Sequence, residues 1–191
     1  MKNMKHYKSV FTDEQELLKA ILEIHNNGNL KIDLDPMFFK GNFYKGKIPK
    51  PNWYYDINES LCADDDINKP SCGDARNLYW HKDESMSSII LDPPFMFGGH
   101  GKQDKYYSSK THGIMTWEEL KKLYKDILKE AYRLLKVGGL LIFKCQDYTD
   151  NKTTMTHCLV YNWATQIGFY AKDIAILVKP NKVYNPNTKQ R

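Results

Sequence analysis

The chain has 191 residues, 41% apolar and 27% charged, which suits one folded domain with a sizeable core and excludes a low-complexity chain. Its net charge of +5 is a mild basic excess, compatible with a nucleic-acid partner without specifying one. No apolar run approaches the ~20 residues a membrane span needs, and the N-terminus, MKNMKHYKSVFTDEQE, lacks the apolar stretch of a signal peptide, so no membrane partner is expected.

Taken in chain order, Thr12-Asp13-Glu14-Gln15 before ELLKAILEIH predicts a helix N-terminus with acids in the first turn, stopped by Asn26-Asn27-Gly28-Asn29. LKIDL predicts a short strand ending at Asp35-Pro36, and WYYDI a second ending near Asp56. In SCGDARNL the acid Asp74 falls just past a third strand, and SSIIL is a fourth ending at Asp92. A polar loop rich in glycine and lysine runs from Met96 to Thr116. TWEELKKLYKDILKEAYRLLK then carries the strongest helical periodicity, with Thr116 as N-cap and Glu119 three residues on. Gly138-Gly139 is expected to close that helix before the fifth strand, LLIFKC. A helix over 154–167 and a sixth strand, YAKDIAILV, complete the pattern.

Strands alternating with helices predict an α/β fold, a mostly parallel, doubly wound sheet covered on both faces. Ligands of such sheets sit beyond the carboxyl ends of the strands. Asp35, Asp56, Asp74 and Asp92 all fall on that rim. The cysteines, Cys62, Cys72, Cys145 and Cys158, are scattered without a CxxC and are expected to be free thiols. His100, His112 and His157 lack metal-ligand spacing, so no metal is expected.

The fourth strand ends in Asp92-Pro93-Pro94-Phe95. Two prolines cannot continue a sheet ladder, so carbonyls between them become available as acceptors. A carboxylate stands beside them and an aromatic face follows. That set suits a planar group bearing an NH2, although a plain turn after an edge strand accounts for the tetrapeptide alone equally well. Two acceptors on an exocyclic amine would favour a pyramidal nitrogen and stabilise charge developing there. Stacking on Phe95 would contribute roughly 1–3 kcal/mol.

In this tetrapeptide the sequence resembles the S-adenosylmethionine-dependent amino-methyltransferases of DNA, whose signature is (Asp/Asn/Ser)-Pro-Pro-(Tyr/Phe/Trp) at the fourth strand's end. RLLKVGGLLIF, 133–143, resembles their Arg-x-Leu-Lys-Pro-Gly-Gly passage from helix to strand, with Val137 in the proline place. GDARNL, 73–78, resembles the stretch upstream of the catalytic strand. DPMFFKG, 35–41, resembles the cofactor loop Asp-Pro-Phe-x-Gly-Ser-Gly, with Phe39 in place of the central glycine. KGNFYKGKIP is similar to phage and bacterial site-specific members. The resemblance spans about residues 30–178.

It implies a Rossmann-like class I methyltransferase fold, with residues 1–191 forming a single catalytic domain. No separate target-recognition domain is expected, and the fold's customary seventh strand is left unassigned. The implied cofactor is S-adenosyl-L-methionine. Asp35 would lie near its methionine part, in a loop with Pro36, Lys40, Gly41 and Asn42. Asp56 would accept from the ribose hydroxyls, and Asp74, beside Ala75, from the adenine amine. Phe39 is expected to force the loop onto a different path.

Asp92, Pro93, Pro94 and Phe95 would be catalytic. Lys102 and Lys105, with Lys110, would contact phosphates, while Lys144, Gln146 and Asp147 would shape the target pocket. The expected activity is methylation of adenine N6 in duplex DNA, with the base flipped out, in a cytoplasmic protein encoded by a bacterium or phage. Methylation of guanine N2 in RNA or cytosine N4 in DNA, and a catalytically inactive nucleic-acid-binding subunit of the same fold, are the alternatives.

Overall fold

The computed structural model describes residues 7–63, 66–95, 116–149 and 153–178. A two-residue strand β1, Val10–Phe11, precedes helix α1, Glu14–His25. Asp13 caps α1 by accepting from the Glu16 amide at 2.8 Å, and Leu18 and Leu22 line its buried stripe. Strands β2, Leu34–Asp35, β3, Trp53–Asp56, and β4, Ser71–Cys72, follow. Strand β5, Met86–Leu91, is buried throughout its last four residues, as a central strand of a parallel sheet must be.

Helix α2, Trp117–Leu134, opens on a full capping box between Thr116 and Glu119. Strand β6, Leu135–Phe143, starts at its last turn. The expected helix stop at Gly138-Gly139 is instead an irregularity inside β6. Met86 pairs with Leu135 and Ser88 with Leu140, so the extra β6 residues bulge out. Gly138 takes a φ of +79°, and a Cβ on Gly139 would press on the carbonyls of Lys136 and Ser87. The antiparallel pair β7, Tyr148–Thr149, and β8, Thr153–Thr154, precedes helix α3, Thr156–Ile167, and strand β9, Ile176–Leu177.

Among the described residues five strands form one parallel sheet in the order β4-β3-β2-β5-β6. Chain order runs outward to one side from β2 and to the other from β5, so the sheet switches direction between them. The expected sixth strand is reduced to β9, which pairs in parallel with β1 in a separate two-stranded sheet. Residues 170–174 before it are exposed and have no buried face to commit to a sheet.

Strand β2 is also shorter than LKIDL suggested. On the β3 side the Ile32 and Asp33 carbonyls accept from the Asn52 and Trp53 amides, at 3.1 and 2.8 Å, but on the side of β5 side chains replace the ladder. Asp33 accepts from the Ser87 amide at 2.6 Å, and the Asp33 amide donates to Ser88 Oγ at 3.0 Å.

Both faces of the sheet are covered. Leu34, Tyr55, Ile89 and Leu91 pack with Ile127, Ala131 and Leu134 of α2. On the other face, Ile32, Ile90 and Leu140 pack with Leu18 and Leu22 of α1. Helix α3 lies outside α2, where Val160 meets Leu120 and Tyr124. Arg133 ties the end of α2 to the segment before β5 through the carbonyls of Leu78 and His81, at 3.2 and 2.9 Å. No helix among the described residues is long and apolar enough to cross a membrane.

Candidate functional site at the carboxyl rim of the sheet

The loop after β2 is built on aromatic packing. The Phe38 ring is buried, parallel to Tyr44 at 5.4 Å and tilted on Tyr54 at 4.7 Å. Gly41 sits on that ring at a φ of +61°, where a Cβ would collide with it, so glycine is required there. Phe39 adopts a φ of +49°. That left-handed backbone is one that glycine adopts more readily than phenylalanine. The Phe39 amide donates to Asp56 Oδ2 at 2.8 Å, which offsets a conformational cost of about 1–2 kcal/mol.

Asp35 terminates β2 but turns inward. It is 1% exposed, its carboxylate accepting from Tyr44 Oη at 2.7 Å and the Met37 amide at 3.0 Å. Burial, against the pull of those two donors, pushes its pKa up to about 7. Asp56 is buried too and accepts from the Phe39 and Asn58 amides, at 2.8 Å each. Asp74 is clasped by Arg76, whose Nε lies 2.9 Å from both carboxylate oxygens and whose Nη2 lies 2.6 Å from Oδ2. That bonding holds the guanidinium above its ordinary pKa.

A cleft of about 500 Å³ opens at the switch between β2 and β5, where ligands of open parallel sheets bind. It brings together Pro36, Asn42, Asp56, Asp74 and Ala75 with Asp92, Pro93, Pro94, Phe95 and Lys144. Asp35, Lys40, Gly41, Gln146 and Asp147 do not line it. Asp35 faces the core, Gly41 supports the loop from Phe38, and the exposed Lys40 ammonium lies 5.4 Å over the Phe39 ring. Asp147 bonds instead to His157 at 2.7 Å. Lys102, Lys105 and Lys110 lie outside the described residues.

Within the tetrapeptide, the Pro94 carbonyl accepts from Tyr124 Oη at 2.9 Å, while no hydrogen bond from a described residue reaches the Pro93 carbonyl. Lys144 lies between Asp92 and Glu14, with Nζ 3.1 and 2.9 Å from their carboxylates. Burial disfavours the ammonium, but the two carboxylates outweigh burial and raise its pKa above the ordinary lysine value.

Six carboxylates, Glu14, Asp56, Asp74, Asp92, Glu119 and Asp126, face the cleft against the three cations Arg76, Lys122 and Lys144. In a chain of net charge +5 this is a locally acidic site. Phe39, Phe43, Ile57 and Leu123 supply its apolar walls.

The sequence reading did not reach Glu14, Phe43, Arg76, Leu123 or Asp126. A usable signal existed for α2, since 119, 122, 123 and 126 follow helical spacing from the Thr116 cap. A second groove of about 510 Å³ lies at the opposite, amino-terminal rim, lined by Trp53, Trp80, His81, Lys82 and Lys136 among others. None of the strand-end acids reaches it.

No family model matches the chain, and no curated protein or solved structure matches it either.

Proposed function

We propose that the chain transfers a methyl group from S-adenosyl-L-methionine to an exocyclic base amine in DNA, adenine N6, on a Rossmann-like class I methyltransferase fold. The observation that carries this reading is the course of Asp92-Pro93-Pro94-Phe95. It leaves the central strand at the switch point and lines one cleft with Asp56 and Asp74.

The residues fit the cofactor. A cleft of about 500 Å³ lies within the usual range for small-molecule sites, and its excess of carboxylates complements a cationic ligand. Asp56 and Asn42 would hold the ribose, with Asp74 and Ala75 beside the adenine between Phe39, Ile57 and Leu123. Asp35 supports the loop from beneath, and Pro36 and Met37 form the wall where it would otherwise stand. When bound, the cofactor supplies an electrophilic methyl on a positively charged sulfur.

The target base stacks on Phe95. Asp92 and the Pro93 carbonyl each accept one amine hydrogen, which aims the nitrogen lone pair into the cleft and stabilises the charge that develops on nitrogen. Tyr124, by occupying the Pro94 carbonyl, fixes the extended path of the tetrapeptide. Lys144 orients Asp92. No cysteine ends β5, in keeping with attack by nitrogen and not through a covalent enzyme adduct at a ring carbon.

Calorimetric titration with S-adenosyl-L-methionine tests the reading. Saturable binding that weakens at least fivefold in Asp74→Ala is expected. Absence of binding by the folded wild-type chain would overturn it in favour of a scaffold or nucleic-acid-binding role.

A further inference from the structure

Away from the cleft, three side chains from two parts of the chain line up. Asp147, between β6 and β7, lies 2.7 Å from Nδ1 of His157 and also accepts from the His157 amide at 3.3 Å. Nε2 of the same ring lies 3.3 Å from Sγ of Cys158. A carboxylate on Nδ1 selects the tautomer with its proton there, leaving the Nε2 lone pair directed at the thiol. The order is therefore orienting acid, base and nucleophile, the arrangement that activates a thiol. Cys158 is exposed, on the first turn of a twelve-residue helix.

The other thiols differ. Cys72 is exposed, but no imidazole bonds to it among the described residues. Cys145 is half-buried, and burial, with Asp147 adding to it, pushes its pKa up to about 11. Cys62 donates to the carbonyls of Asp56 and Asn58, at 3.3 Å each.

The surroundings also restrict the chemistry. Acyl transfer needs backbone donors aimed at a developing oxyanion. The amides of Cys158 and Leu159 are both spent on the Met155 carbonyl, at 3.1 and 3.3 Å. Attack on sulfur needs no such donors.

We infer that Cys158 is a modification site, a thiol activated by His157 and Asp147 for exchange with low-molecular-weight disulfides. As Cys158 Sγ attacks one sulfur of the disulfide, its proton passes to His157 Nε2 and a mixed disulfide forms. The original S–S bond breaks, and the leaving sulfur takes the electron pair and then the proton from His157. Cysteine and disulfide are the only reactants, and the oxidising equivalent comes from the disulfide.

The full chain is treated with an aromatic disulfide that releases a coloured thiolate, and the adduct on each cysteine is timed by peptide mass. Cys158 is expected to react at least tenfold faster than Cys72. His157→Gln should bring it to within about twofold of Cys72, and Asp147→Asn should produce an intermediate rate. Slow labelling of Cys145 in each variant shows that the fold is kept. If a variant unfolds, the wild-type comparison decides alone. Equal rates at Cys158 and Cys72, or a Cys158 rate indifferent to His157→Gln in a folded variant, would overturn the inference.

Discussion

The Lys144 ammonium lies 3.1 Å from Asp92 Oδ2 and 2.9 Å from Glu14 Oε1, a cation shared between the acid that ends the central strand and the first residue of α1. Its own amide donates to the Leu91 carbonyl at 2.8 Å, so the ladder of β5 and β6 sets Lys144 beside Asp92. The pair is partly exposed, and its value lies in orientation more than in stability.

Asp92→Ala should lower turnover at least ~100-fold, the scale seen when one aimed group is removed from a reacting centre. Cofactor affinity should stay within about threefold, because Asp92 is assigned to the amine. Lys144→Met should cost turnover about tenfold with the same unchanged affinity, since Asp92 survives but loses its orienting cation. Phe95→Tyr keeps the stacking face and should retain activity, unlike Phe95→Ala. Initial rates beside calorimetric affinities for these variants test the assignment, and near-normal turnover in Asp92→Ala would end it.

Phe39 and Gly41 make a paired test of the β2 loop. Phe39→Gly relieves a left-handed phenylalanine but gains unfolded-state entropy, so stability should change by less than about 1 kcal/mol. Loss of the ring from the cleft wall should weaken cofactor binding several-fold. Gly41→Ala meets both a φ of +61° and the Phe38 ring, and should cost about 1–3 kcal/mol. Denaturant melts and titrations read both effects. Tighter cofactor binding by Phe39→Gly would show that the ring obstructs the site.

Asp35 makes stability depend on pH in a defined direction. Its carboxyl, normally titrating near 3.8, is raised by burial to about 7. Between those values the folded state binds a proton that the unfolded state has released, so this contribution is complete below pH 3.8 and is lost as pH rises through about 7. Asp35→Asn should therefore flatten the fall in melting temperature between about pH 4 and 7. Thermal melts across that range check it, and an unchanged slope in the variant would show that Asp35 does not carry the dependence.

The rim of the sheet was legible because WYYDI and SSIIL are apolar runs that stop at an acid, and each stop places a carboxylate beyond a strand. Asp35 stops a strand too, but its inward turn depends on Tyr44, a partner nine residues away that no period of two or 3.6 predicts. The helical face of Glu119, Lys122, Leu123 and Asp126 was readable as a stripe. Its approach to the cleft depends on how α2 packs against Leu34 and Ile89, which is tertiary information. The pairing of Val10–Phe11 with Ile176–Leu177 was hidden for another reason, since two residues are too few to show an alternation.

The most direct test of the central claim is to incubate the chain with methyl-labelled S-adenosyl-L-methionine and mixed-sequence duplex DNA, digest the product to nucleosides and identify the labelled one by mass. The account predicts label in N6-methyladenine, abolished by Asp92→Ala. Label in 5-methylcytosine, or no transfer to DNA by a chain that binds the cofactor, would contradict it.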